Sequence, residues 1–339
     1  MDYVLIKGSF HVVGYSPDGD SLMFKADNPA LWEKILNEDN EQRFREKLNS
    51  PKDQGAVQLR LQGLDAPETH FKPSEGADPA LIASKPVGEF RQPSDLGNQA
   101  TTEFLKFLGV KNTTWKTVFN GSYLAKATLT QNGQDVIVTQ KLGDTIPGYI
   151  VTRDIELNGR PVAWVFKGAT PLPDGAAVNQ DTLTGLAEQS ANYYLLQQGL
   201  VYPYFFMTLQ AKLRNKLSAA VTQAQATAMS ATGTNLWRSD KSIPGLTLTD
   251  IKAITQQSTP QTESALIYPY LFRKVLKFWY QNTPNVNTTT VNLLNLCAKA
   301  NPNIFVVSEA DFVKLDEILE LKGNVLRIKK LPQDIVFLS

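Results

Sequence analysis

From Tyr3 to Lys25 the chain alternates apolar and polar side chains and breaks only at Pro17-Asp18-Gly19-Asp20, which commits its N-terminus to a β-hairpin. Tyr3 to Tyr15, rich in Val, Ile and Phe, is the first predicted strand, and Ser21-Leu22-Met23-Phe24-Lys25 is its return. A third alternating strand, Val57-Gln58-Leu59-Arg60-Leu61, runs into Gly63-Leu64-Asp65-Ala66-Pro67-Glu68. Two more strands are predicted around 113–153, and another at Arg160–Phe166, entered through the turn Asn158-Gly159. Helical spacing marks Gln99–Leu108, then roughly 180–198 and 208–230, with stops at Gly199 and Gly233. Strands that are later closed by helices point to a small barrel with helices packed on it.

After Trp237 the character changes. Arg238 to Leu248, with Pro244 and Gly245, reads as a linker. Beyond it an aromatic-rich helix is predicted over Leu266–Tyr280 and a second over Thr288–Ala300, with strands at 303–308, 323–328 and 334–338. A chain of 339 residues accommodates two domains. The expected division is residues 1–240 and a smaller mixed α/β domain at 246–339. Residues 27–55, with helical spacing and many charges over 29–49, read as an insertion, as do residues 70–98, a long Pro- and Gly-rich loop.

The 34 basic and 33 acidic residues leave a net charge of +1, so no global field draws in nucleic acid. A polyanion would have to be held by a local basic cluster or through a metal. Two histidines, His11 and His70, are too few for His-rich zinc sites. No apolar run approaches bilayer length, and Met1–Gly8 lacks a leader pattern. The single Cys297 cannot form an intramolecular disulfide. The expectation is a cytoplasmic monomer without membrane association, or a secreted one if a leader has been removed.

Three acids stand out by position. Asp20 lies in the hairpin turn, while Asp65 and Glu68 follow the strand that carries Arg60. A carboxylate at a hairpin turn and another at a strand end can meet across one mouth of a barrel, where hard oxygen ligands suit Ca²⁺ or Mg²⁺. The planar guanidinium forks of Arg60 and of Arg160, after its Gly turn, suit phosphate oxygens. Each residue also has a plainer role: Asp20 and Asp65 as turn residues, Glu68 as a surface charge, Arg60 in a structural ion pair. His11 reads as a structural strand residue, His70 as a loop residue, and Cys297 as a small buried hydrophobe. In Tyr268–Tyr280, Leu271, Val275 and Phe278 recur at helical spacing; this fits a core stripe with a solvated basic face, or a surface on which single strands stack.

Asp18-Gly19-Asp20-Ser21, then Arg60-Leu61-Gln62-Gly63-Leu64-Asp65-Ala66-Pro67-Glu68-Thr69, then Asn158-Gly159-Arg160 with Val162-Ala163-Trp164-Val165, resembles the staphylococcal-nuclease (thermonuclease) pattern. Gly97-Asn98-Gln99-Ala100, Gln198-Gly199-Leu200-Val201 and Gly233-Thr234-Asn235-Leu236-Trp237 continue it in order, over about residues 3–237. The resemblance implies an α+β protein built on an OB-fold, a five-stranded β-barrel with packed helices. It further implies a Ca²⁺-dependent nuclease (Mg²⁺ or another divalent cation being possible) that hydrolyses DNA and RNA to 3′-phosphate products. Asp20, Asp65 and the backbone carbonyl of Ala66 would bind metal, Glu68 would position or deprotonate the attacking water, and Arg60 and Arg160 would bind the scissile phosphate. Ser21 stands where the family usually has Thr, and Asn158 where an aromatic residue often precedes Gly-Arg. The rival class is a catalytically inactive nuclease-like barrel that binds nucleic acid or protein. The C-terminal region resembles no known family and is expected to contact substrate or bind a protein partner.

Overall fold

The computed structural model describes residues 2–72, 90–92, 94–118, 121–131, 133–230, 235–238, 246–247, 266, 268–281, 302–322 and 325–338. In chain order β1 (Tyr3–His11), β2 (Ser21–Ala26), α1 (Glu41–Leu48) and β3 (Ala56–Leu61) come first. A two-residue strand β4 (Leu64–Asp65) and helix α2 (Ser94–Leu108) follow. Then come β5 (Val110–Val118), β6 (Gly121–Gln131), β7 (Gln134–Val138), β8 (Ile146–Ile155), β9 (Pro161–Lys167) and β10 (Ala177–Val178). Next are α3 (Gln180–Leu186), α4 (Ala191–Gln197), β11 (Tyr202–Pro203), β12 (Phe205–Phe206) and α5 (Ala211–Ser230). The C-terminal part holds β13 (Leu246–Thr247), α6 (Pro269–Gln281), β14 (Asn303–Val306), β15 (Asp311–Lys314), β16 (Leu319–Lys322), β17 (Val325–Ile328) and β18 (Ile335–Phe337). The chain forms two compact units, one of residues 1–64, 100–197 and 210–220, the other of residues 65–99, 198–209 and 221–339.

The first unit is built on a closed five-stranded barrel. Its strands run β1-β2-β3-β9-β8, with β8 returning to β1 and β10 added along β1. All these pairings are antiparallel except β3 with β9. Leu5, Phe10, Phe24, Leu59, Ile150 and Val165 contribute fully buried side chains from every strand of the barrel. At the seam where β1 meets β8, Gly8 lies opposite Gly148. A Cβ at Gly148 would stand 2.4 Å from the Phe10 ring and 2.5 Å from the Phe166 carbonyl oxygen, and one at Gly8 would stand 2.2 Å from the Lys25 oxygen. The missing side chains are what let aromatic rings fill the barrel beside a closed seam.

Several sequence expectations shift. β1 stops at His11 rather than Tyr15, because the Asp144 carboxylate accepts hydrogen bonds from the Val12 and Val13 amides that a neighbouring strand would otherwise take. The region expected to hold two strands holds four: the meander β5-β6-β7, then β8. The meander carries Trp115 and Ile137 exposed, 41% and 59%. The predicted 180–198 helix is two helices, because Ser190 adopts an extended conformation (φ −83°, ψ 153°). Its hydroxyl donates to the Ala187 oxygen at 2.6 Å and accepts from the Tyr193 amide at 3.1 Å, capping α4. Helix α2 begins at Ser94, inside the span expected to be loop. His11 is structural: it is buried, 3.5 Å from Asp144, with Ser9 Oγ 3.1 Å from its ring.

The second unit has two small sheets, β12-β18-β14-β15 and β13-β17-β16, of which β12, β13, β15 and β16 were not foreseen. Its buried cluster joins Phe90, Tyr202 and Leu236 to Leu266, Tyr268, Leu271, Phe272, Ile304 and Phe337. Apolar side chains from both sides of the composition change after Trp237 therefore share one core. The Thr288–Ala300 helix, Cys297 and nearly all of the 238–248 linker lie outside the described residues, as do the side chains of Val275 and Phe278. Among the described residues no helix is long and apolar enough to cross a membrane.

The seam makes a direct prediction. Gly148→Ala drives a methyl group into Phe10 and a backbone oxygen and should cost about 1–3 kcal/mol, the usual penalty of overpacking. A urea midpoint equal to that of the wild type would refute it.

Candidate functional site

In the first unit the register sets the geometry. Ser21 lies opposite Arg60 in the β2–β3 ladder, so Asp20, one residue earlier, reaches the end of the strand that carries the guanidinium. The Leu61 amide donates to the Asp20 carbonyl at 2.8 Å, and Arg60 Nη1 lies 3.3 Å from Asp20 Oδ2. Both side chains are largely buried. The turn ahead of Asp20 is held by Asp18, whose carboxylate accepts from the Gly19 amide at 2.7 Å. Ser21 receives a hydrogen bond from Gln58 Nε2 at 3.2 Å.

Arg160 immediately precedes β9 and pairs through Nε with Glu156 across its own turn. Gly159 in that turn has φ +74°, and a Cβ there would stand 2.8 Å from the Arg43 and Phe44 backbone of α1. Only glycine fits both demands. From α1, Arg43 donates to the Leu157 oxygen at 3.1 Å and to Asn158 Oδ1 at 3.4 Å. Asn158, which stands where the resemblance leads one to expect an aromatic wall, thus bonds the insertion helix. Burial, and then the charge of Arg160, hold the Lys47 ammonium below the usual lysine range, against the opposite pull of Glu156.

A buried polar network ties helix α4 to these strands. Asn192 Nδ2 donates to the oxygens of Gln62 and Ala163 at 2.9 and 3.0 Å, and its Oδ1 accepts from the Val165 amide at 3.0 Å. Trp164 Nε1 donates to Gln62 Oε1 at 2.7 Å. Gln62 follows Leu61 directly, so the network fixes the exit from β3.

Asp65, Ala66 and Glu68 belong to the second unit. The Asp65 side chain is 0% exposed. It is gripped by Arg273 of α6, Nη1 to Oδ1 at 3.1 Å and Nη2 to Oδ2 at 2.7 Å, and Arg273 Nη1 also bonds Glu68 Oε1. Burial by itself would lower the Arg273 guanidinium's pKa, but Asp65 and Glu68 outweigh it and hold it well above the ordinary arginine value. The Glu68 backbone is fixed in both directions by Gln92: the Glu68 amide donates to Gln92 Oε1 at 3.0 Å, and the Gln92 amide donates to the Glu68 oxygen at 2.8 Å. Gly97 packs on this segment, since a Cβ there would meet Thr69 at 2.7 Å and the Pro67 oxygen at 3.2 Å. His70 is a neighbour of Thr69, its Nδ1 lying 2.6 Å from Thr69 Oγ1.

The structure therefore joins Asp20 to Arg60, and Asp65 to Glu68 through a third residue. Among the described residues no three His, Cys, Asp or Glu side chains are gathered in the manner of a metal centre. Arg273 is the site residue that sequence patterns missed. A signal was present: Pro269–Gln281 contains no acidic residue, so this arginine has no partner within its own helix. No protein-family model matches the chain, and no curated protein matches it.

Asn192 supports three buried backbone groups, and an unpaired buried polar group costs about 1–3 kcal/mol. Asn192→Leu should accordingly lower stability by several kcal/mol, on the order of 3 or more. A variant as stable as the wild type in chemical denaturation would show that water replaces the amide.

Proposed function

We propose that the chain is a metal-dependent phosphodiesterase of the staphylococcal-nuclease type, built on an OB-fold barrel and acting on DNA or RNA. The observation that carries this reading is the Asp20–Arg60 pair, 3.3 Å apart, set by the Ser21–Arg60 register beside the hairpin turn. A carboxylate beside a guanidinium, in the order the resemblance leads one to expect, supports reading Asp20 as a hard-oxygen metal ligand and Arg60 as a phosphate-binding fork. The second support is Asp65-Ala66-Pro67-Glu68, whose two carboxylates are held close together and already bind a cation, the guanidinium of Arg273.

In this reading Asp20, Asp65 and the Ala66 carbonyl would hold Ca²⁺. A bound divalent ion neutralises phosphate charge and helps order water there. The chain's own residues supply the rest. Glu68 accepts a proton from the water that attacks phosphorus, and the bond from phosphorus to the 5′-oxygen breaks. The 5′-oxygen then takes up a proton from solvent, leaving a 3′-phosphate and a 5′-hydroxyl. Arg60 and Arg160 bind the equatorial oxygens and stabilise the charge that builds there. To do so they must exchange part of their pairing with Asp20 and Glu156 for phosphate.

A second reading has an observation of its own. With Asp65 and Glu68 both engaged by Arg273, the barrel would bind nucleic acid without cutting it. Cleavage assays on single-stranded DNA and RNA separate the two. Ca²⁺ should support cleavage and EDTA abolish it. Arg60→Ala and Arg160→Ala should each lose about 10²-fold or more in rate while remaining folded, as happens when a preorganised donor is removed. Retained binding without cleavage by the wild type at any divalent ion would favour the binding module.

A further inference from the structure

We propose that Arg273 is a built-in cation that competes with a divalent metal for Asp65, so that helix α6 sets the metal affinity of the acid pair. This rests on the proposed function only in taking Asp65 as a metal ligand.

Both oxygens of Asp65 accept from the two Nη atoms of Arg273, at 3.1 and 2.7 Å. This is the two-pronged geometry in which a guanidinium matches a carboxylate best. The same guanidinium takes Glu68 Oε1. Any metal bound by Asp65 would share one of these oxygens with Arg273 and stand a few ångströms from its positive charge, so the two cations disfavour each other. The arginine is also well placed by its surroundings. Leu271, Phe272 and Leu276 bury the helix on either side of it, and the Phe272 ring lies 6.4 Å from that of Phe71, three residues beyond Glu68. The segment that carries the acids thus packs on the helix that carries the cation.

Charge makes the competition an exchange. Asp65 and Glu68 together carry two negative charges against one on Arg273. Removing the arginine takes a positive charge away from a fully buried carboxylate and its partly buried neighbour, which is unfavourable. A divalent ion would supply positive charge in its place, whereas with Arg273 present it must bind against the repulsion of a charged, well-bonded partner. Withdrawal of Arg273, by substrate phosphate or by movement of α6, would raise metal affinity at that acid pair.

The test uses the full chain, with Ca²⁺ binding followed by calorimetry and thermal melting recorded in EDTA and in Ca²⁺. Arg273→Gln should melt lower than the wild type in EDTA, recover in Ca²⁺, and bind Ca²⁺ at least about tenfold more tightly. Arg273→Lys, which keeps the charge but loses the fork, should fall between them. Adding Asp65→Asn should remove the gain. Ca²⁺ affinity within about twofold of the wild type in both arginine variants overturns the proposal. Should Arg273→Gln fail to fold, the lysine variant carries the comparison by the same criterion. Cleavage is scored separately. Tighter Ca²⁺ binding without cleavage keeps the competition and ends the nuclease reading, while Ca²⁺-dependent cleavage with unchanged affinity does the reverse.

Discussion

Closure of β1 against β8 is the constraint on which the first unit depends. Seven residue pairs, from Val4–Thr152 to Phe10–Ile146, join two strands that are far apart in sequence. A closed barrel has no free edge, and each strand's register is then fixed by both neighbours. The cost of closure falls on Gly8 and Gly148, which give up side chains so that the Phe10 and Phe24 rings and the backbone oxygens of Lys25 and Phe166 can occupy the space. Once the barrel is closed, the ends of β2 and β3 are no longer adjustable, and the distance from Asp20 to Arg60 follows from the ladder rather than from any special attraction between them.

A net charge of +1 takes on meaning once the ion pairs are seen. The guanidiniums that matter here are not displayed to solvent as a basic patch. Arg60 faces Asp20, Arg160 faces Glu156, and Arg273 faces Asp65 and Glu68. Each cation is preorganised by an acid and correspondingly neutralised by it. A polyanion would gain little from long-range attraction and would have to win these contacts locally, where partial burial strengthens charge interactions. In the proposed nuclease, affinity for substrate and affinity for metal are then linked through the same carboxylates.

Some features were legible because they depend on neighbours in sequence. Alternation revealed β2, β3 and β9, and a Gly-Asp turn located the hairpin. Others were not, because the deciding partner is remote. β1 ends where it does on account of Asp144, more than a hundred residues away. The 180–198 helix breaks at Ser190 because a hydroxyl can cap a new helix there, an alternative that helical periodicity does not register. β15 and β16 are short and carry charges at Asp311, Lys314, Glu320 and Lys322, so no apolar alternation announced them.

The candidate site divides along the same line. The sequence alone determined which residues carry hard oxygens and guanidiniums, and that Asp20 and Arg60 sit at strand ends, since turn chemistry and a period of two are local properties. Only the tertiary structure decided what each of them faces. That Asp65 is fully buried, that Asn192 holds the exit of β3, and that an arginine more than two hundred residues along the chain closes on Asp65 and Glu68 all follow from packing between distant segments. A charge in a sequence specifies what it can bind, and burial specifies which partner it must have, because an ion removed from water is stable only where an opposite charge has been brought to meet it.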